Sequence, residues 1–170
     1  AGALTPLIDR DAVLCTDDLD EARDGVSRVF SPHELSIPVA GQRLGTYLSH
    51  APVGSVSINR LRYGATVDID VGCINDFLLV MMPLAGVSEV RCGSESILST
   101  PQVASVISPN LPLRMRSSDE CDQIMVRIDR GLVERHCRQY LGHDLRRPIE
   151  FQLSMDLTES GGESWCGLIR

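Results

Sequence analysis

Apolar positions near the start of the chain recur at the spacing of an amphipathic helix between Asp17 and Phe30. The stripe consists of Leu19, Ala22, Val26 and Val29. Asp17 and Asp18 are candidate N-caps, because their side-chain oxygens can accept hydrogen bonds from the free N–H groups of the first turn. Ser31 and Pro32 end the predicted helix, since the residue before a proline is biased away from helical geometry.

The pattern between residues 54 and 128 changes to short runs that are typical of strands. Residues 65–71 alternate apolar and polar positions, and residues 77–82 are apolar throughout, which predicts a buried strand. The predicted strands are Gly54–Tyr63, Ala65–Val71, Phe77–Met82, Val87–Cys92, Val103–Ile107, Leu111–Met115 and Gln123–Ile128. Glycine, proline, asparagine or serine separates these runs. Many short strands divided by such turns predict an antiparallel sandwich or barrel.

The last part of the chain returns to helical spacing. Asp129 is a candidate cap for a helix that extends to Leu141, and Gly142 is a candidate C-cap. Residues 148–153 are predicted to be irregular or a short strand, and another helix begins near Ser164 and is still in progress where the sequence ends. We therefore expect a small β-barrel with one N-terminal helix and C-terminal helices, and this pattern alone indicates no function.

Composition narrows the class of protein. The 170 residues suit one ordinary domain, which can bury a core without disulfides or a metal. The formal net charge is −7, and since DNA-binding domains normally carry a basic face, this chain is a poor candidate for contacting DNA by itself. Six cysteines without a CxxC pair favour free thiols. Without a signal peptide or an apolar run of about 20 residues, we expect a cytoplasmic protein with no membrane contact.

Five segments, taken in order, resemble the N-terminal domains of AraC/XylS-type transcription regulators. They are Asp24–His33, Leu61–Ala65, Met82–Gly86, Val103–Pro109 together with Pro112–Met115, and Glu120–Ile128. No one of these segments is specific, since each is a barrel strand with turn residues. The ordered set at these separations carries the resemblance, which covers roughly residues 16–150.

The resemblance implies a mainly β fold, a cupin-like double-stranded β-helix (jelly-roll barrel) with an N-terminal helix and C-terminal helices. Residues 1–128 would form the effector-binding barrel with its N-terminal arm, and residues 129–170 the helical dimerisation region. A helix-turn-helix DNA-binding domain is expected beyond Arg170. The implied function is ligand sensing and dimerisation, in which a small organic effector controls DNA binding by that missing domain, as part of an activator or a repressor.

In the benzoate-sensing branch of the family the effectors are aromatic or other small carboxylic acids. An arginine grips a carboxylate well, because its planar fork matches the two oxygens. The predicted effector site contains Pro38, Arg43, Tyr47, Arg60, Met81 and Met82. Arg43 is chosen because the N-terminal loop covers the pocket in relatives, although a rim position is the commoner role for any single arginine. Met81 and Met82 are at least as well explained as core residues. The loop Pro38–Arg43 departs from the more basic stretch of that branch.

The predicted dimerisation stripe consists of Leu132, His136 and Tyr140 on the helix that follows Asp129. The same stripe could pack on its own barrel instead. Both arrangements are compatible, because the apolar face of a helix has two edges.

Two other classes of protein remain as alternatives. A cupin-type metal enzyme would need converging histidines, but His33, His50, His136 and His143 contain no His-x-His pair. Adjacent His136 and Cys137 cannot form a catalytic dyad, since neighbouring helical side chains diverge by about 100°. We therefore predict no catalytic residue, no metal and no cofactor. The second alternative is a constitutive dimerisation module whose barrel is filled and binds no ligand.

Overall fold

The computed structural model describes residues 12–169, which form strands and helices in the order that follows. The elements are β1 (Ala12–Thr16), α1 (Leu19–Val29), β2 (Glu34–Ser36), β3 (Thr46–Val53), β4 (Val56–Arg62), β5 (Val67–Cys73), β6 (Phe77–Ala85), β7 (Ser88–Cys92), β8 (Glu95–Ser99), β9 (Val103–Ile107), β10 (Pro112–Ser117), β11 (Asp122–Asp129), α2 (Arg130–Leu141), β12 (Ser154–Asp156) and α3 (Ser160–Ile169). The first eleven residues, which include most of the predicted N-terminal arm, and Arg170 lie outside this range.

The strands form two antiparallel sheets. The large sheet has seven strands in the order β1-β3-β4-β11-β6-β9-β12, and the small sheet has five in the order β2-β5-β10-β7-β8. Side chains from both sheets and from α1 pack together in an inner core, to which Leu61, Leu79 and Met125 of the large sheet and Val90 and Leu113 of the small sheet contribute. This inner core holds the two sheets face to face, as in a sandwich or jelly roll.

The large sheet is covered on its outer face as well. Val80, Met82 and Ile124 point away from the inner core and pack with Trp165 and Ile169 of α3. Since successive side chains of a strand point to opposite faces, β6 supplies both cores. This two-sided burial explains why residues 77–82 are apolar without interruption.

Helix α1 lies against the inner core through Ala22 and Val26, both buried. Its N-terminus is capped by Asp18, whose Oδ1 accepts a hydrogen bond of 2.8 Å from the backbone N–H of Glu21. The opposite face is solvated and carries Arg23, which contacts Asp20 at 2.8 Å. The helix predicted between Asp17 and Phe30 is confirmed, and so is the N-cap at Asp18.

Helix α2 begins beside the barrel and then leaves it. Arg130 anchors the first turn, because its Nη1 donates to Asn110 Oδ1 at 3.2 Å and its Nε donates to Glu134 at 2.6 Å. None of the twelve residues of α2 is buried. The predicted helix up to Leu141 is confirmed, and Gly142 adopts the left-handed C-cap conformation with φ of 72°.

All seven predicted strands are present, six of them with shifted ends and Val103–Ile107 with the predicted ends, whereas β1, β2, β3, β8 and β12 were not predicted. Strand β3 was missed because Ser49, His50 and Pro52 interrupt any apolar alternation. The final helix begins at Ser160 rather than near Ser164, and the segment before Ser154 is irregular. The six cysteines are free thiols. Between residues 12 and 169, no helix is long and apolar enough to cross a membrane.

Two glycines with nearly the same backbone conformation differ in their surroundings. Gly86, between β6 and β7, has φ of +66°, and a Cβ built there would lie 2.5 Å from the Cys121 backbone nitrogen. Gly72, at a bulge in β5, has φ of +65° with open space around it.

We expect Gly72→Ala to lower the free energy of unfolding by about 1–2 kcal/mol, which is the cost of the left-handed conformation alone. Gly86→Ala should cost about 3 kcal/mol or more, because a backbone clash is added. Urea denaturation of both variants measures the difference, and equal losses would contradict the close approach at Gly86.

Candidate functional site

A cavity of about 30 Å³ lies in the inner core, between the two sheets and next to the end of α1. Apolar side chains form most of its wall, among them Val26 and Phe30 at the helix end, Leu79 and Met125 of the large sheet and Leu113 of the small sheet. A space of this volume holds a water molecule and nothing much larger. Any larger molecule between the sheets would therefore have to enlarge the cavity.

His33 brings an unpaired acceptor to the wall of this cavity. Its Nδ1 lies 3.0 Å from the backbone carbonyl of Ser31 and 3.2 Å from the Ser27 hydroxyl. Since a carbonyl oxygen can only accept, Nδ1 carries the proton and Nε2 presents a lone pair. This Nε2 atom is buried and has no hydrogen-bond partner among the residues that the structure describes. Burial lowers the pKa of His33 from its ordinary value, so the neutral form is favoured.

Gln123 supplies a second unpaired acceptor to the same wall. The residue lies on β11, faces inward and is only 3% exposed. Its Oε1 atom finds no hydrogen-bond partner within residues 12–169. Burying an amide in this way costs free energy, because the oxygen loses water and gains no donor. Ser31 and Tyr63 are the other polar residues of the lining, and complete burial raises the pKa of the Tyr63 hydroxyl, which keeps it protonated.

A second inward-facing polar cluster, formed by His50, Asn59 and Ser57, differs because its central amide is paired. Asn59 is fully buried, and its Nδ2 donates to the Met125 carbonyl at 3.0 Å and to Ser57 Oγ at 3.1 Å. Its Oδ1 accepts from His50 Nδ1 at 2.6 Å. A network in which the central amide is satisfied stabilises strands β3, β4 and β11 against each other. The unpaired atoms at His33 and Gln123 make their cavity the better candidate for a binding site.

The six residues predicted to form the effector site do not meet in one place. Met81 faces the inner core, whereas Met82 lies on the outer face and accepts a hydrogen bond of 3.2 Å from Trp165 Nε1. Neighbours on a strand point to opposite faces, so Met81 and Met82 cannot line the same cavity. Pro38 and Arg43 are exposed in the connection between β2 and β3.

Arg60 and Tyr47 also lie on the outer face of the large sheet, outside the inner core. The Arg60 guanidinium makes a two-pronged contact with Asp122, at 3.0 Å from Nε and 2.7 Å from Nη2. It also lies 5.9 Å from the centre of the Tyr47 ring. Arg60 was placed correctly on the face of Val56 and Ile58, but that face belongs to the outer cluster. The Arg60 guanidinium, which was predicted to bind an effector carboxylate, therefore binds the Asp122 carboxylate of the protein itself.

His33, Gln123 and Tyr63 are not among the ligand-binding residues predicted from the sequence. Gln123 could have been found from the alternation on β11, where it has the same parity as the inward residue Met125. His33 follows the helix in an irregular segment, so only the folded chain places it beside the inner core. Among residues 12–169, no group of three or more histidine, cysteine, aspartate or glutamate side chains could hold a metal ion.

The outer face of the small sheet carries an open groove of about 470 Å³. Two ion pairs cross between its strands, with Arg114 contacting Asp70 at 2.8 Å and Arg116 holding Asp68 through two bonds of 2.6 and 2.7 Å. Exposed ion pairs of this kind contribute little to stability. The groove lacks the apolar enclosure that small-molecule sites usually have.

The buried histidine predicts a specific dependence of stability on pH. The pKa of His33 is lower in the folded protein than its value of about 6.5 in an unfolded chain. Below that value the unfolded state binds the extra proton, so stability is lost as the pH falls and is fully present above it. We expect His33→Gln to lose less stability than the wild type between pH 7.5 and pH 5.5. Urea denaturation at both pH values measures this, and identical losses would show that the ring is solvated.

The chain is similar to a known domain over most of its length. A family model described as an AraC-binding-like domain matches residues 22–170. The probable thc operon regulatory protein of Rhodococcus erythropolis is 27% identical over 157 residues, which cover 91% of this chain and 47% of that protein. The chain therefore spans about half the length of this curated relative.

Two solved structures are similar to this chain, and the first of them shares its fold. The AraC-like transcriptional activator CuxR matches with a TM-score of 0.58 and 14% identity, over 76% of this chain and 51% of that one. An RmlC-like cupin from Shewanella frigidimarina matches with a TM-score of 0.41 and 7% identity, over 56% of this chain and 82% of that one. The predicted fold class, a mainly β cupin-like jelly roll with an N-terminal helix and C-terminal helices, is confirmed. Since the family model covers nearly the whole chain, this protein belongs to the AraC-binding-like domain family of AraC-type transcription regulators.

Proposed function

We propose that this chain is the ligand-sensing domain of a transcription regulator and that its effector binds between the two sheets, at His33, Tyr63 and Gln123. The observation that carries the proposal is that two residues lining one cavity, His33 and Gln123, each hold a buried polar atom without a hydrogen-bond partner in the described part of the chain, Nε2 and Oε1 respectively. An unpaired buried polar group costs about 1–3 kcal/mol. A ligand that pairs these atoms would recover this free energy.

Entry of the effector requires movement, because the cavity of about 30 Å³ is too small for an organic molecule. Helix α1 is the element best suited to move. It contributes Val26 to the wall, with Phe30 directly after its last residue, and its outer face is solvated. A ligand that binds only the enlarged cavity would shift the population toward the arrangement in which α1 is displaced.

Strand β6 offers a route from the cavity to the C-terminal part of the chain. Leu79 lines the cavity from the inner face. Val80 and Met82 on the same strand touch the outer cluster, where Met82 contacts Trp165 of α3. Packed cores transmit small displacements poorly by deformation and well by switching between arrangements. Enlargement of the cavity would in this way change how α3 packs on the large sheet.

The DNA-binding response to the effector would come from a part of the protein outside this domain. We propose that a DNA-binding domain beyond residue 170 responds to α3 and that the chain is a cytoplasmic homodimer without catalytic activity of its own. The net charge of −7 supports DNA contact through another domain. The match to an AraC-like transcriptional activator and to an operon regulatory protein supports a regulatory rather than an enzymatic role. A cupin-type metal enzyme and a constitutive dimerisation module are the alternatives that experiment must exclude.

The dimer contact is proposed to lie on α2, through Leu132, His136 and Tyr140. Leu132 is half-buried at the barrel end, while His136 is exposed and Tyr140 is 92% exposed. An aromatic side chain left in water on a helix without buried residues would gain most from a partner helix. The pairing of two identical helices would follow the two-fold symmetry of most small homo-oligomers.

A ligand screen with hydrogen exchange tests the interior site. We expect at least one small organic compound to raise the melting temperature in a concentration-dependent manner, because it binds only the folded state. Hydrogen exchange should then change in α1 and around His33, where the cavity must enlarge. A divalent metal that alone raises the melting temperature would support the enzyme alternative. No stabilisation by any organic compound would favour the constitutive module.

Sedimentation velocity tests the dimer contact. Tyr140→Ala should raise the dimer dissociation constant about tenfold or more, as expected when a central aromatic contact is lost. Leu98→Ala is the matched control, because Leu98 is another exposed apolar residue and lies on the small sheet, away from α2. A wild-type chain that stays monomeric at all concentrations, or equal effects of the two variants, would contradict the assignment.

A further inference from the structure

We propose that the effector of the interior site is an uncharged hydrogen-bond donor, such as a primary amide, an alcohol or a phenol, and not a carboxylate. This inference rests on the proposed function, since it assumes that the cavity beside His33 and Gln123 is the effector site. It concerns a different question, namely which chemical group the site can recognise.

Both unpaired atoms on the cavity wall are acceptors. His33 donates its Nδ1 proton to the Ser31 carbonyl, which leaves only a lone pair on Nε2. The Gln123 oxygen Oε1 has lone pairs and no proton. Two acceptors are satisfied only by a molecule that brings N–H or O–H groups. A carboxylate at neutral pH brings acceptors only, and it would face these lone pairs without gaining a hydrogen bond.

The charge of the cavity lining also argues against a carboxylate ligand. Among the residues that the structure describes, no arginine, aspartate or glutamate lines this cavity. The arginines that could have compensated a carboxylate are elsewhere, with Arg60 bound to Asp122 on the outer face and Arg43 exposed. Moving a carboxylate from water into an apolar space without a cationic partner is strongly unfavourable. Turning the Gln123 amide to present its NH₂ group would supply one neutral donor and would leave the charge uncompensated.

The Tyr63 hydroxyl complements a donor ligand. The Tyr63 hydroxyl stays protonated in this buried position and can donate to a carbonyl oxygen. A primary amide has two N–H groups for the acceptors and one carbonyl for such a donor. Apart from Ser31, the rest of the wall is apolar, with Val26, Phe30 and Leu113 among its members, which suits a short alkyl or aromatic body.

Three compounds of nearly equal size and shape test the inference on the intact chain. Benzamide, benzoate and acetophenone share a phenyl carbonyl and differ only in an NH₂, O⁻ or CH₃ group. Butanamide, butanoate and 2-pentanone repeat the comparison with a smaller alkyl body. Melting temperatures and calorimetric titrations should show binding by the amide of at least one set. The corresponding ketone and carboxylate should bind at least about tenfold more weakly, since each lacks the donors.

Two glutamine variants test whether Gln123 accepts the hydrogen bond from the ligand. Gln123→Met keeps the length of the side chain and removes the acceptor, and we expect the domain to stay folded because a buried unpaired amide is lost. Its affinity for the amide should fall about tenfold, whereas its affinity for the ketone should not fall. Gln102→Met is the control, because Gln102 is exposed on the turn before β9. It should bind all compounds as the wild type does.

The outcomes separate this inference from the proposed function. Carboxylate binding that depends on Gln123, or that strengthens below pH 6.5 with proton uptake by His33, overturns the inference and leaves the interior site in place. Equal binding of amide and ketone likewise overturns the need for a donor. If no member of either set binds, while other compounds from the screen act through hydrogen-exchange changes outside α1, the interior site itself is wrong and the inference fails with it.

Discussion

The large sheet is buried on both faces, and the rest of the structure depends on this constraint. Its inner face packs on the small sheet and α1, and its outer face packs on α3. Strands β6 and β11 therefore carry apolar residues at consecutive positions, and each inward residue is followed by an outward one. The same strands border the interior cavity and the C-terminal helix, so a change of packing in one core alters the packing in the other.

The interior is not a uniform apolar core, and its polar groups fall into two kinds. Asn59 is fully buried with its amide paired to backbone and side-chain groups, which fixes the register of neighbouring strands. Gln123 and His33 keep unpaired acceptors at a cavity close to α1. Natural domains tend to violate local rules of stability at functional sites. Thr46 and Ser105 also have buried hydroxyls without a partner among residues 12–169, but they do not line this cavity, so it is the meeting of two such residues at one cavity that distinguishes the candidate site.

The acidic domain and its family suggest a division of labour within a longer regulator. The curated relative is about twice as long as the matched segment, and the match to an AraC-like activator covers half of that chain. If the chain is a sensor, as proposed, it would need no basic surface, because DNA contact would belong to another domain. In the proposed function, the exposed α2 would contact a second copy and the packed α3 would couple the domain to the rest of the chain.

Much of the fold was determined by patterns visible in the sequence. Helical spacing at Ala22 and Val26 gave α1, and the uninterrupted apolar run at 77–82 gave the central strand β6, because local periodicity reports directly on burial. Strand β3 was not predicted because its inward positions include polar residues such as His50. The hydrogen-bond partner of His50 is Asn59, which lies on the next strand, β4. The site was decided only by tertiary structure. Period-two alternation allowed Arg60 to face either core. Strand pairing with β11 set it opposite Ile124 and diagonal to Asp122 on the outer face, while chain folding after α1 brought His33 to the same cavity as Gln123. Sequence periodicity assigns a residue to one side of a strand, but only packing between sheets determines what that side meets.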